Sequence, residues 1–171
     1  MERLGFIHSK LEIKILILFV LNRLPHPVLL SDLTEAVMCD DGIGYFDYIE
    51  ALTELIKTQH ISEEKGYYSI TQKGIRNGTI TENSIPYSVR FKAERKTMKL
   101  SYVMNRNAMI KTDTSRREDG GYTVHLSLSD GMGDILSMEI LVGSETQAHI
   151  IEKKFHKDAE ELYDNIMKLL L

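Results

Sequence analysis

Seven consecutive apolar side chains, Ile15 to Leu21, sit inside the segment SKLEIKILILFVLNRL at residues 9–24. On a helix of about 3.6 residues per turn such a run covers the whole circumference. That marks a helix enclosed by other elements, not one laid on a surface. Pro25 and Pro27 end it, because proline lacks the amide N–H and clashes with the preceding turn. The run is too short for a membrane span, which takes about 20 apolar residues. Glu12 and Lys14 abut it and no small-residue cleavage site follows, so it does not read as a signal peptide either. A chain that opens this way is expected to wrap a domain around its first helix.

The elements that would do the wrapping follow in order. Val28-Leu29-Leu30 reads as a short strand, and Ser31 as the cap of a helix, SDLTEAVMC, with Asp32 in its first turn. CDDGIG is a turn by composition. A helix is expected over 45–58, with Tyr45, Ile49, Leu52 and Ile56 inward at steps of four, three and four. HISEEKGYYSIT gives two short strands around Glu64-Lys65-Gly66, and Thr71 caps a helix in TQKGIRNG. Helix, strand, helix, helix, hairpin is the order of a winged helix-turn-helix.

Residues 79–85 read as a linker, and a long helix is expected from Pro86 to Asn107 with Val89, Ala93, Leu100 and Val103 on one side. Three alternating segments follow: Ala108, Ile110, Thr112, Thr114; then Tyr122, Val124, Leu126, Leu128; then Leu136, Met138, Ile140, Val142. Gly-rich turns separate them, which describes an antiparallel meander with one wet face. Ser144 with Gln147 forms a capping box for a last helix, whose seam is Ala148, Ile151, Phe155, Ala159, Leu162, Ile166 and Leu169. The expected fold is α+β: a winged helix-turn-helix over 1–83, then an αβββα module over 84–171 for dimerisation and possible-effector sensing.

Charge is distributed unevenly along the chain. The formal total is −4, but residues 1–83 carry −4, residues 84–117 carry +7 and residues 118–171 carry −7. The single cysteine, Cys39, leaves no intrachain disulfide and fits a reducing cytoplasm.

MERLGFIHSKLEIKILILFVLNRL, LTEAVMCDDGIGYFDYIEALTELI and IPYSVR together resemble a family of Gram-positive bacteria known as a domain of unknown function and read as a winged-helix regulator. The likeness is specific over 1–90 and looser beyond. YYSITQKG is similar to the wing-to-helix junction of PadR-like and MarR-like transcription regulators, with Tyr68, Thr71, Lys73 and Gly74 matching and Ile70 in the leucine position. The resemblance implies the fold and DNA contact, and assigns no ligand, operator or catalytic residue.

The helix at 45–58 would be the recognition helix, placing Tyr45, Tyr48 and Lys57 towards base edges. Its outward face also carries Asp47, Glu50 and Glu54, an acidic stripe that repels phosphates. The stripe reads equally as a solvated face or as the docking surface for a basic protein partner. Lys65 at the wing is flanked by Glu63 and Glu64. Arg90, Lys92, Arg95, Lys96 and Lys99 on the long helix, with Lys73 and Arg76 before them, form the cationic set suited to a phosphate backbone. Alternatively they pair with the acidic third of this chain or of a second copy. The terminal seam is either cover for the sheet or a dimer interface.

His149, Glu152 and His156 share one helix face without a further ligand set, so no metal, cofactor or enzymatic activity is expected. The expectation is a cytoplasmic, homodimeric DNA-binding transcription regulator. Its rival is a winged-helix protein-interaction module that does not bind DNA.

Overall fold

A computed structural model describes residues 5–171. Helix α1, Lys10–Leu21, starts at a full capping box: Ser9 Oγ accepts from the Glu12 amide, and Glu12 Oε2 accepts from the Ser9 amide at 2.9 Å. Ile13 and every residue from Ile15 to Leu21 are buried, so the helix is enclosed on all sides. Strand β1 (Val28–Leu29) and helices α2 (Leu30–Val37) and α3 (Tyr45–Lys57) follow. Strands β2 (Ile61–Glu64) and β3 (Tyr67–Ile70) lead to helix α4 (Gln72–Thr81) and a 3-10 turn at Glu82–Ser84. Helices α2, α3 and α4, strand β3 and the 3-10 turn all pack on α1. Gly78 lets α4 come close, since a Cβ there would meet the Leu18 side chain at 3.2 Å.

The long helix α5 spans Tyr87–Met109, and the meander is β4 (Ile110–Arg116), β5 (Tyr122–Ser129) and β6 (Asp134–Val142), closed by α6 (Glu145–Leu170). The described residues thus form a mixed α+β chain with six α-helices and two three-stranded antiparallel sheets, in the orders β1-β3-β2 and β4-β5-β6. Among the described residues, no helix is long and apolar enough to cross a membrane.

Two compact units divide between Met104 and Asn105. The expected boundary at 83/84 gives the long helix to the second unit, yet most of it belongs to the first. Val89, Ala93 and Thr97 are buried there, and Leu100 and Met104 pack against the same core. In the second unit, Val124, Leu126 and Leu128 of β5 lie under Ala148, Phe155 and Ala159 of α6. Leu162 and Leu169, expected in that seam, are exposed. The helix kinks at Asp158 (φ −121, ψ 21), and Arg106 takes the nearby carbonyls of His156 (3.0 Å) and Lys157 (2.8 Å) while pairing with Glu160. An inserted side chain of this kind is a recognised cause of a kink.

Several local details differ from the sequence pattern. Ser31 does not cap α2; the helix starts at Leu30 behind Leu29, which is held in β1 opposite Tyr67. The expected linker at 79–85 is mostly helical, with Thr79 and Thr81 hydroxyls bonding back to the Ile75 and Asn77 carbonyls. Ala108 lies in the last turn of α5, and β4 starts only at Ile110. Ser144 does cap α6, but Gln147 returns its bond to the Gly143 amide, one residue before the cap.

One buried carboxylate ties the N-terminal segment to the α2–α3 connection. Asp40 Oδ1 accepts from the amides of Phe6 (2.9 Å), Ile7 (3.1 Å) and Gly42 (3.0 Å). Asp40→Ala strands these donors and should cost about 2–3 kcal/mol, read as a lower urea midpoint with unchanged slope. An unchanged midpoint would show that the segment contributes nothing to the fold.

Candidate nucleic-acid interface

Helix α3 turns Tyr48, Ala51, Leu52 and Leu55 inward. Tyr48 is fully buried, its hydroxyl 3.3 Å from Thr34 Oγ1, and burial pushes its pKa up to about 12. The expectation that Tyr48 reaches DNA is therefore corrected: it is a core residue. Tyr45, expected inward as well as towards DNA, is exposed, and with Phe46, Glu50, Thr53 and Lys57 it forms the outer face.

The acidic stripe on that helix is largely compensated from inside the unit. Lys10 Nζ sits 2.7 Å from Glu50 Oε1 and 3.0 Å from Glu54 Oε1, and Lys14 Nζ pairs with Glu54 Oε2. Hydrogen bonds from Lys14 and then Lys10 hold the Glu54 carboxyl down at about 2, and those glutamates raise Lys10 in return. Asp47 lies in the first turn, where the helix dipole favours an anion. Both lysines were legible as charges in the sequence. Their pairing was not, because it spans some forty residues between two helices whose relative rotation no local pattern fixes.

The hairpin β2–β3 closes on the two-residue turn Lys65-Gly66, both at positive φ (53 and 83), the geometry such hairpins favour. Glu63 Oε1 accepts from the Gly66 amide at 2.9 Å, so one of the flanking acids shapes the turn. Lys65 stands exposed at the tip.

The Tyr68/Thr71/Lys73/Gly74 junction does structural work at the end of α3. Thr71 Oγ1 caps the Gly74 amide and bonds the Gln59 carbonyl at 2.8 Å. Lys73 Nζ donates to the Thr58 carbonyl at 2.7 Å, which ties it to the C-terminus of α3. A side chain at Gly74 would collide with the His60 carbonyl. Lys73 is thus already engaged by the fold.

The cations of α5 fall into two groups. Lys96 Nζ bonds the carbonyls of Glu35 (2.8 Å) and Met38 (3.3 Å), closing the end of α2. Arg90 Nη1 bonds Asn83 Oδ1 at 2.8 Å. Lys92, Arg95 and Lys99 are exposed without a partner among the described residues, as is Arg76 on α4. In the second unit, Glu152 accepts from Thr114 (2.7 Å) and meets His149 (3.1 Å). Among the described residues no group of three His, Cys, Asp or Glu is placed to hold a metal. A groove of about 420 Å³ beside α6 is lined by Leu126, Ile140, Ile151, Phe155 and Leu162, with Lys154, Asp158 and Glu161 at its rim.

His60 joins the end of α3 to α4: Nδ1 lies 2.8 Å from Thr58 Oγ1 and Nε2 2.7 Å from the Asn77 amide nitrogen. Burial, then the charges of Lys73 and Lys14, lowers its pKa from 6.5. Because the folded chain binds this proton less readily than the unfolded one, the stability is complete above 6.5 and falls as pH drops through the folded value. The urea midpoint of the native chain should therefore fall more steeply from pH 7 to 5 than that of His60→Gln. Parallel curves would contradict this.

No curated protein and no solved structure matches the chain. A family model described as a domain of unknown function (DUF4364) matches residues 13–170, across both units. The chain belongs to that family.

Proposed function

We propose that this chain is a winged-helix DNA-binding transcription regulator that acts as a homodimer in the cytoplasm. The order α1-β1-α2-α3-β2-β3, with the sheet arranged β1-β3-β2 and a hairpin tip exposed at Lys65, supports the winged-helix reading. The observation that carries DNA contact is the pairing of Glu50 and Glu54 with Lys10 and Lys14. A bare acidic stripe would repel phosphates; a stripe matched by two lysines leaves Tyr45, Thr53 and Lys57 free to approach the groove.

Four cations without a partner among the described residues, Arg76, Lys92, Arg95 and Lys99, then supply phosphate contacts. The rival reading, a basic protein docked on α3, has to displace Lys10 and Lys14 from the same glutamates first. The groove beside α6 is the place for an effector, with its apolar floor and charged rim.

The test is binding of a fluorescent duplex at several salt concentrations. Each phosphate contact contributes about 0.9 to the slope of log affinity against log salt. Replacing Lys92, Arg95 and Lys99 together by alanine should reduce that slope by roughly two to three and weaken binding similarly for all sequences. Salt-independent binding, or none by a folded chain, would overturn the proposal.

A further inference from the structure

Helix α5 has a second exposed face that the phosphate reading does not use. Tyr87, Phe91, Met98 and Tyr102 are 74%, 50%, 67% and 71% exposed. At about 100° per residue, the four lie within about 60° of one another around the helix. Val89, Ala93 and Thr97 point the opposite way into the core. Tyr87 and Phe91 stack on each other, ring centroids 6.2 Å apart at 25°. All four precede Met104 and so belong to the first unit.

We infer that this stripe is where a second copy of the chain docks, α5 against α5 in antiparallel fashion about a two-fold axis; this rests on the homodimeric regulator proposed above. Two observations select that occupant. The spacing of the stripe is the same from both ends about the point between Glu94 and Arg95, so antiparallel pairing sets Tyr87 opposite Tyr102 and Phe91, an apolar side chain, opposite Met98, another. A two-fold interface requires this self-complementarity, since each residue must meet its counterpart reciprocally. The area also fits. Three aromatic side chains at about 150–250 Å² each, reduced to their exposed fractions, with Met98, offer on the order of 500 Å² of apolar surface. A stable interface takes about 800 Å² from each partner, and the stripe alone supplies the larger part of that area.

The arrangement also accounts for the basic side of the helix. Arg95, Lys99 and Lys92 follow the stripe on one flank. A two-fold axis perpendicular to two antiparallel helices keeps that flank of both on the same side. The six cations form one strip, as a duplex spanning two copies requires.

Sedimentation equilibrium on the full chain tests the interface. The native protein should run at twice 19.6 kDa, and Phe91→Glu with Tyr102→Glu at 19.6 kDa, with unchanged circular dichroism. A native monomer, or a dimer that persists in the double variant, overturns the inference. If the double variant misfolds, cross-linking decides. In a Cys39→Ser background, Phe91→Cys and Met98→Cys are mixed and treated with a short bis-maleimide. The mixture should cross-link and neither variant alone should; self-linking variants or an unlinked mixture overturn it. Duplex binding, measured separately, distinguishes failure of the interface from failure of the DNA reading.

Discussion

The first unit depends on enclosing α1. Burying Ile13 and Ile15–Leu21 on every side requires partners all around, and α2, α3, α4 and β3 supply them. At about 1.5–3 kcal/mol for each fully buried aliphatic side chain, this one helix outweighs any single hydrogen bond in the unit. Because α1 is central, the polar end of the same helix lies beside α3. Lys10 and Lys14 are there to meet Glu50 and Glu54, so a packing requirement sets the electrostatics of the outer helix.

Where a local signal was strong and tertiary packing agreed with it, the sequence was legible. The apolar run gave α1, Lys65-Gly66 gave the hairpin, Thr71 and Ser144 gave their caps, and alternation gave β5 and β6 almost to the residue. Helix α3 shows the limit. Its apolar residues occupy two adjacent stripes, Tyr45/Ile49/Leu52/Ile56 and Tyr48/Ala51/Leu52/Leu55, which share Leu52. Period alone does not choose between them; packing buries the second fully, keeps Ile49 and Ile56 half-buried against the same core and leaves only Tyr45 outside. Ser31 failed as a cap for a related reason: with Leu29 paired to Tyr67, the helix is capped at Leu29, two residues before Ser31.

The candidate site was legible as a set of charges and illegible as a set of pairs. Lys73 and Lys96 looked like phosphate ligands by spacing, yet each ends on backbone carbonyls at a helix C-terminus, where a cation is favoured. Lys92, Arg95 and Lys99 are the same residue types on the same helix, yet they stand exposed and bond no carbonyl among the described residues. The distinction lies in which way α5 faces, fixed by Val89, Ala93 and Thr97 entering the core. That orientation also leaves the aromatic stripe outward.

In the proposed complex with DNA, α1 makes α3 acceptable to phosphates by holding Glu50 and Glu54. Duplex affinity of Lys10→Ala/Lys14→Ala, compared with the same variant carrying Glu50→Gln and Glu54→Gln, tests it most directly. Uncovering the glutamates should weaken binding, and neutralising them should restore most of it. Affinity unchanged by the lysine substitutions, or lost and not restored by the glutamines, would contradict it.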